Sequence, residues 1–340
     1  MIYEMERKLM IKFDEEKKLI SVQGALTLRP EIEEIVDEIT SAGFANLCWL
    51  GIGGTYASGL QVEVHMKEKS DLELFTLNAA EYLTTGNRRV RSDTIVVISS
   101  VTGSTVEMVD AVKKAKSEGA KVIGFIDKPE SELAKIVDWV IAYPANEQLK
   151  FFMVADRFMH NRGEFPEYTT YYSQLDSHLA QNLVDVEKKA DEFGRAFAQR
   201  HHEDKIHYFV GSGNQYGSTY SYAMCYWEEQ HWLRTKSIHS AEFFHGMLEI
   251  IDRDTPVTVF LGEDAQRSLS ERVARFLPKV CANYTFIDSK DYELPGIDER
   301  FRGNLSHLVT HAVTERIDAH MEAINCHPME IRRYYRQFDY

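Results

Sequence analysis

Phe44 to Ser58 reads FANLCWLGIGGTYAS, and this stretch decides the fold. Phe44 to Leu50 is apolar except at Asn46, as expected of a strand buried on both faces of a parallel sheet. Gly51, Gly53 and Gly54 follow at once and open a helix through Thr55, Tyr56, Ala57 and Ser58. A glycine turn between strand and helix lets the backbone bend sharply and offers unpaired N–H groups with a positive dipole end, which suits a phosphate. Position 56 is Tyr rather than Gly, so the spacing is not the dinucleotide-binding pattern.

Working outward, the same alternation continues. Strands are predicted at 72–77, 94–99, 121–126 and 139–143, with helices near 79–83 and 105–117. An earlier helix carries the apolar stripe Ile32, Ile35, Val36, Ile39 and ends at Gly43. From 147 to 200 the strand signals stop, and two helical runs are separated at Gly163-Glu164-Phe165-Pro166. The alternation restarts with strands at 206–210, 257–261 and 284–287 and helices through Glu229, near 267–276 and near 306–324. At an offset of 160 positions Gly51, Gly53, Tyr56 and Ser58 fall on Gly211, Gly213, Tyr216 and Ser218, so the two halves read as an internal repeat. The expected architecture is two α/β sandwiches with parallel sheets. Expected boundaries are an N-terminal arm over 1–29, a first domain over 30–165, linking helices over 166–200, a second domain over 201–325 and a tail over 326–340. The arm reads as a short hairpin or as a segment packed on a neighbour.

The bulk properties exclude several classes. The net charge of −14 over 340 residues argues against a nucleic-acid binder, which would need excess Lys and Arg on phosphate. No apolar run is long enough for a bilayer, and the charged start MIYEMERKLM lacks the apolar core of a signal peptide, so the expected location is cytoplasmic. Cys48, Cys225, Cys281 and Cys326 form no CxxC pair and read as free, buried thiols in a reducing compartment. Neither His239 with His245 nor His201 with His202 has a third ligand at a recognised spacing, so no metal and no cofactor are expected.

Two further stretches carry chemistry. Ser100-Val101-Thr102-Gly103-Ser104-Thr105 follows the strand ending at Ser99 and places four hydroxyls on one turn. Such a turn can neutralise a phosphate without Lys or Arg, where a helix N-cap alone would need one hydroxyl. The segment from Trp227 to Gly246, WEEQHWLRTKSIHSAEFFHG, joins a helix end bearing Glu228 and Glu229 to a loop ending in Glu242, Phe243, Phe244 and His245. A carboxylate facing an imidazole is an acid/base pair. Trp227, Trp232, Tyr222 and Tyr226 read as a packing cluster against another subunit.

The GIGGTYAS turn, the SSVTGSTVE turn, the repeated halves and the EFFHG loop resemble the sugar isomerase (SIS) domain family. SIHSAEFFHGMLEI and the tail HPMEIRRYY resemble its fructosamine 6-phosphate deglycase branch, which is akin to the isomerase half of glucosamine-6-phosphate synthase. The resemblance implies two three-layer SIS sandwiches, a homo-oligomer of at least two subunits with pockets between them, and no partner nucleic acid or membrane. It implies a substrate phosphate held by Ser100, Thr102 and Thr105, with Thr55 contributing beside Gly53 and Gly54. Relatives often carry Ser at the place of Thr55 and a polar residue at that of Val101, a contact this chain lacks. The Glu sixteen positions before the loop His maps to Glu229, leaving Glu228 on the surface, since adjacent helical residues point about 100 degrees apart.

The implied activity is deglycation of a 6-phosphorylated sugar–amino acid adduct of the fructoselysine or glucoselysine type, with Glu229 as a partly buried base and His245 assisting ring opening and proton transfer. Glu242 orients His245, binds substrate or caps the loop. Tyr334, Tyr335 and Tyr340 close over the pocket or fray. The rivals are an aldose–ketose isomerase, an aminating enzyme and a phosphosugar sensor. No nucleophilic Cys begins the chain as a glutamine-hydrolysing domain would, and the first segment is too short for a DNA-binding helix-turn-helix.

Overall fold

The computed structural model describes residues 10–335, 337 and 338. The first half runs α1 (Glu15–Leu26), α2 (Arg29–Ala42), β1 (Asn46–Gly51), α3 (Gly54–Lys67), β2 (Leu74–Asn78), α4 (Ala79–Thr85), β3 (Thr94–Ser100), α5 (Val106–Ser117), β4 (Lys121–Ile126), β5 (Trp139–Ile141) and α6 (Glu147–Asn161). The long α7 (Tyr168–His201) leads into β6 (His207–Gly211), α8 (Asn214–Ser221), β7 (Thr235–His239), β8 (Val257–Leu261), α9 (Arg267–Phe276), β9 (Tyr284–Asp288) and α10 (Ser306–Asn325).

The strands form two parallel sheets, ordered β2-β1-β3-β4-β5 and β7-β6-β8-β9. The central strands β1, β3 and β8 are buried along their whole length, which is why they read as unbroken apolar runs. One core joins the inner faces of both sheets through the central helices, from Trp49 and Phe125 through Phe151 and Leu179 to Phe209 and Phe260. Separate cores cover the outer faces, Val96 and Val112 on the first sheet and Val259 and Val273 on the second. The repeat is visible in the backbone: Gly53 (φ 61°, ψ −128°) and Gly213 (φ 64°, ψ −142°) occupy the same left-handed position before α3 and α8.

Three expectations need correction. The described part of the N-terminal segment is helical rather than a hairpin. Its residues 15–26 form helix α1, started by the Asp14 side chain accepting from the Lys17 N–H, and it buries Val22, Ala25 and Leu26 in its own chain. The stretch after Arg234 is not all loop, because Thr235–His239 pairs in parallel with β6 as an edge strand. A polar edge strand shows no period-2 apolar signal, so periodicity could not find it. Finally, the aromatic cluster is largely internal. Trp227 is fully buried against Phe197, His207 and Phe209, and the Tyr222 hydroxyl donates to Asp318. Among the described residues no helix is long and apolar enough to cross a membrane.

Candidate active site

The carboxyl ends of β1 and β3 are neighbours in the sheet, yet the chain leaves them in opposite directions, toward β2 and toward β4. Such a reversal opens a crevice above the strand ends. Here it widens into a cavity of about 960 Å3 bounded by α1, the first turn of α3, the loop after β3, the start of α6, and α8 with the turn that follows it, α7 and α10.

Gly54 and Thr55 line the cavity at the positive end of α3, facing Val101 and Thr102 from the second turn. A side chain at Gly51 would sit 2.6 Å from the Tyr56 nitrogen, so the tight strand-to-helix turn requires glycine there. The Ser100, Thr105 and Gly53 side-chain positions are not part of the cavity wall. Ser100 is buried and its hydroxyl accepts the Gly103 N–H at 3.0 Å, which shapes the turn from behind. Thr105 occupies the N-cap position of α5 without a side-chain cap bond, and Gly53 caps α3.

Glu229 reaches the same cavity from the second half, because the chain after α8 widens into a π-helical turn over Tyr222–Glu228. The Glu229 N–H donates to the Met224 carbonyl at 3.0 Å, five residues back, and this extra residue per turn changes the direction of the helix end. Glu228, its neighbour, points elsewhere and accepts from the Thr235 hydroxyl at 2.7 Å. The Glu229 carboxylate meets the Arg332 guanidinium at 2.8 Å and its side chain is 41 % exposed, so within one chain this carboxylate is not partly buried as expected. Arg332 and Tyr335 bring the tail onto the cavity. Tyr340 lies outside the described residues.

His245 is not brought to Glu229 within the chain. It sits exposed on a short 3-10 turn after Glu242, which is also exposed, and neither lines the cavity. Phe243 anchors that turn in the outer core of the second sheet.

Sequence reasoning missed Glu147. It begins α6, lines the cavity, and accepts the Thr55 hydroxyl at 3.0 Å. Ala145 and Asn146 before it both hold left-handed backbone (φ 59° and 53°), a costly pair for residues with side chains. The Asn146 amide donates to the Ser21 carbonyl and hydroxyl at 3.1 and 2.8 Å, which ties α1 to this turn. The Asn–Glu step after Pro144 was the one local signal of a helix start. Cys225 also lines the cavity, with its thiol pushed up to about 11 by burial, so it is no thiolate at neutral pH.

The second glycine turn is filled from within. The Asp264 carboxylate accepts the Asn214 N–H at 2.8 Å, and a side chain at Gly213 would lie 2.2 Å from both of its oxygens. A carboxylate thus occupies the helix end that, in the first half, opens on the cavity.

Elsewhere, His201, Asp204 and His207 bring ligand-type atoms within 4.8 Å of one another, a trio the histidine spacings had not disclosed. Both rings meet the same Asp204 oxygen, at 2.7 and 2.8 Å, and the second nitrogen of His207 meets the Thr258 hydroxyl at 2.8 Å. Burial opposes ionisation of Asp204, but the two ring contacts outweigh it and hold the carboxyl at about 2. The trio acts as a bracket between the end of α7 and β6.

Residues 41–156 match the SIS domain family, so the first sandwich carries a SIS domain, and the second repeats its parallel-sheet architecture. The relatives include deglycases. Fructosamine deglycase FrlB of Bacillus subtilis (strain 168) is 28% identical over 327 residues, covering 94% of this chain and 99% of that protein. Fructoselysine 6-phosphate deglycase of Escherichia coli (strain K12) is 22% identical over 315 residues, 90% of each. Among solved structures, a Bacillus subtilis protein assigned as a phosphosugar isomerase superposes with a TM-score of 0.87 at 25% identity, covering 93% of this chain and 99% of that one. The C-terminal domain of glucosamine-fructose-6-phosphate aminotransferase from Francisella tularensis shares the fold, with a TM-score of 0.76 at 13% identity.

Proposed function

We propose that the chain is a deglycase that hydrolyses a 6-phosphorylated sugar–amino acid adduct, of the fructoselysine or glucoselysine type, to a hexose 6-phosphate and a free amino acid. The observation that carries this reading is the convergence of Gly54, Thr55, Thr102 and Glu229 on one cavity, an anion-binding turn and a carboxylate base from different halves. The similarity to two deglycases over nine-tenths of the chain supports it.

On this reading the first sandwich, residues 30–165, holds the phosphate and the second, residues 201–325, supplies the acid/base groups. For a fructose adduct, ring opening exposes the C2 carbonyl. Glu229 takes the proton from C1, the carbon bearing the amine; the C–H electrons form the C1–C2 double bond and the carbonyl oxygen gains a proton. Return of a proton to C2 leaves a C1 imine. Water adds to C1, the C–N bond breaks, and the amine leaves with a proton delivered by Glu229. His245 assists ring opening, and its exposed position on the second sandwich favours its acting in the cavity of a second copy, so the working unit is a homodimer. Covering by that copy would also shield Glu229.

The test is release of free lysine from 6-phosphofructoselysine and 6-phosphoglucoselysine by the native protein, Glu229→Gln and His245→Ala. Release that collapses in both variants supports the deglycase. Aldose–ketose interconversion of a plain hexose 6-phosphate without amine release assigns the same proton abstraction to an isomerase.

A further inference from the structure

The Thr55 hydroxyl has one proton, and two anions have a claim on it. Within the chain it goes to Glu147, whose carboxylate accepts it at 3.0 Å. A threonine hydroxyl is a single donor, so a phosphate held at this turn takes the same proton and leaves Glu147 without it. Lys150 and Lys18 do not make up the loss. The Lys150 ammonium donates to the Tyr143 carbonyl at 2.6 Å, with Asp127 at 4.0 Å, and Lys18 pairs with Glu187 at 3.0 Å and with Glu315. The carboxylate is not spent on capping its own helix either, since it reaches across from the first turn of α6 to α3.

The place of Glu147 on the wall says which group can supply the missing donor. The wall runs from Gly54 and Thr55 past Glu147 and Cys225 to Glu229. A side chain at Gly54 would lie 3.7 Å from the Cys225 sulfur, and that thiol, raised chiefly by burial, also feels the charges of Glu229 and Glu147. Glu147 thus stands between the phosphate turn and the base, beside the former. In a sugar whose C6 oxygen carries the phosphate, the next oxygen along the chain is that on C5. In the closed fructofuranose or glucopyranose form this oxygen is the ring member and has no proton to give. Ring opening breaks its bond to the anomeric carbon; the anomeric hydroxyl loses its proton as the carbonyl forms, and the C5 oxygen gains one.

We infer that Glu147 accepts the C5 hydroxyl of the open-chain sugar, the donor that replaces Thr55 once phosphate has taken the threonine's proton. This rests on the phosphosugar part of the reading above and adds a role to it. Glu147 holds the form whose carbonyl is free for the step at Glu229, and it takes part in no bond-making itself. Phosphate capture and chain opening are linked through one hydroxyl.

The experiment measures the Kd of glucitol 6-phosphate and of its 5-deoxy analogue, both permanently open chains that differ only in the C5 hydroxyl. The native protein should bind glucitol 6-phosphate at least about tenfold more tightly, the factor a hydrogen bond to a charged acceptor supplies. In Glu147→Ala the ratio should fall toward one, with the loss borne by glucitol 6-phosphate. Glu147→Gln keeps the size of the side chain and serves should the alanine variant fold poorly; its neutral amide is the weaker acceptor, so the ratio should fall there too. Equal Kd values in the native protein overturn the assignment, as does an unchanged ratio in both variants, the result of a merely structural glutamate. Amine release from a 6-phosphofructose adduct, measured beside them, keeps the two readings apart: release with equal Kd values rejects the Glu147 contact alone, whereas failure of the native protein to bind either hexitol phosphate rejects the phosphosugar reading and this contact with it.

Discussion

Replacing Asp264 by Ala should destabilise the second sandwich and open a new anion site in it. The carboxylate accepts two backbone N–H groups, from Asn214 at 2.8 Å and Gln266 at 2.9 Å. Bonds to a charged acceptor contribute roughly 1.5–3 kcal/mol each. Against this stands desolvation, the largest influence on Asp264, which raises its carboxyl above the ordinary 3.8 despite those bonds. The net loss expected is therefore about 2 kcal/mol rather than the sum of two full bonds. Because the folded carboxyl is raised, its protonation favours the fold: that contribution is fully present below 3.8 and fades as pH rises through the folded value. The gap between native protein and variant should thus widen as pH falls toward 4. Urea unfolding at neutral and mildly acidic pH measures both effects. Inorganic phosphate should then stabilise the variant more than the native protein, since an anion can take the vacated place at the start of α8. A variant that unfolds within about 0.5 kcal/mol of the native protein, with no added response to phosphate, would refute the idea that Asp264 substitutes for a phosphate there.

Other substitutions test the remaining parts. Gly217→Ala places a methyl group 2.4 Å from the Gln61 Cγ and 2.5 Å from the Ala57 carbonyl oxygen, forcing α3 and α8 apart; a loss of roughly 1–3 kcal/mol in thermal unfolding is expected, and none would contradict the close seam. Thr55→Val removes the hydroxyl that meets Glu147 and faces the cavity, so KM for a phosphorylated substrate should rise about tenfold with kcat largely kept; a fall in kcat alone would separate Thr55 from binding. Glu229→Gln should cost about 10²–10⁴ in kcat, the usual range for a general base, while its half-exposed pairing with Arg332 predicts a stability change under about 1 kcal/mol. Asp204, held at about 2, contributes stability that is present above 3.8 and lost as pH falls through 2; Asp204→Asn should lack that acid step in a pH series of unfolding curves.

The fold was legible where burial is two-sided. Leu47, Trp49, Val97 and Ile98 stand in unbroken apolar runs because both faces of those strands are covered, and glycine marks the turns that follow. The residues that line the cavity were legible only on the glycine turn and the hydroxyl turn, as at Thr55 and Thr102. What stayed hidden depends on partners distant in sequence. Glu147 gains its place from Thr55, 92 positions away, and Lys18 from Glu187 and Glu315. The π-helical turn that directs Glu229 leaves no composition signal, because its residues, Tyr222 to Glu228, suit an α-helix equally well. Ser100 illustrates the converse: its hydroxyl accepts the Gly103 N–H and builds the turn instead of lining the cavity, and sequence does not separate the two uses.

Duplication supplied two glycine turns, and one cavity uses parts of both halves unequally. In the first half the helix end faces open space with Thr55 and Thr102; in the second an acidic side chain closes it, and the helix beyond is extended by a π-helical turn that carries Glu229 back toward the first half. A phosphate bound at the second turn would compete with that geometry, since Asp264 lies within contact of Gly213 at the root of the same helix. Filling it with a carboxylate keeps the anchor of α8 fixed whether or not substrate is present. On the deglycase reading proposed above, Glu229 would then be oriented by the fold alone while the substrate phosphate binds at the other turn, a division of labour that places fixed charge near the reacting carbon before the substrate arrives.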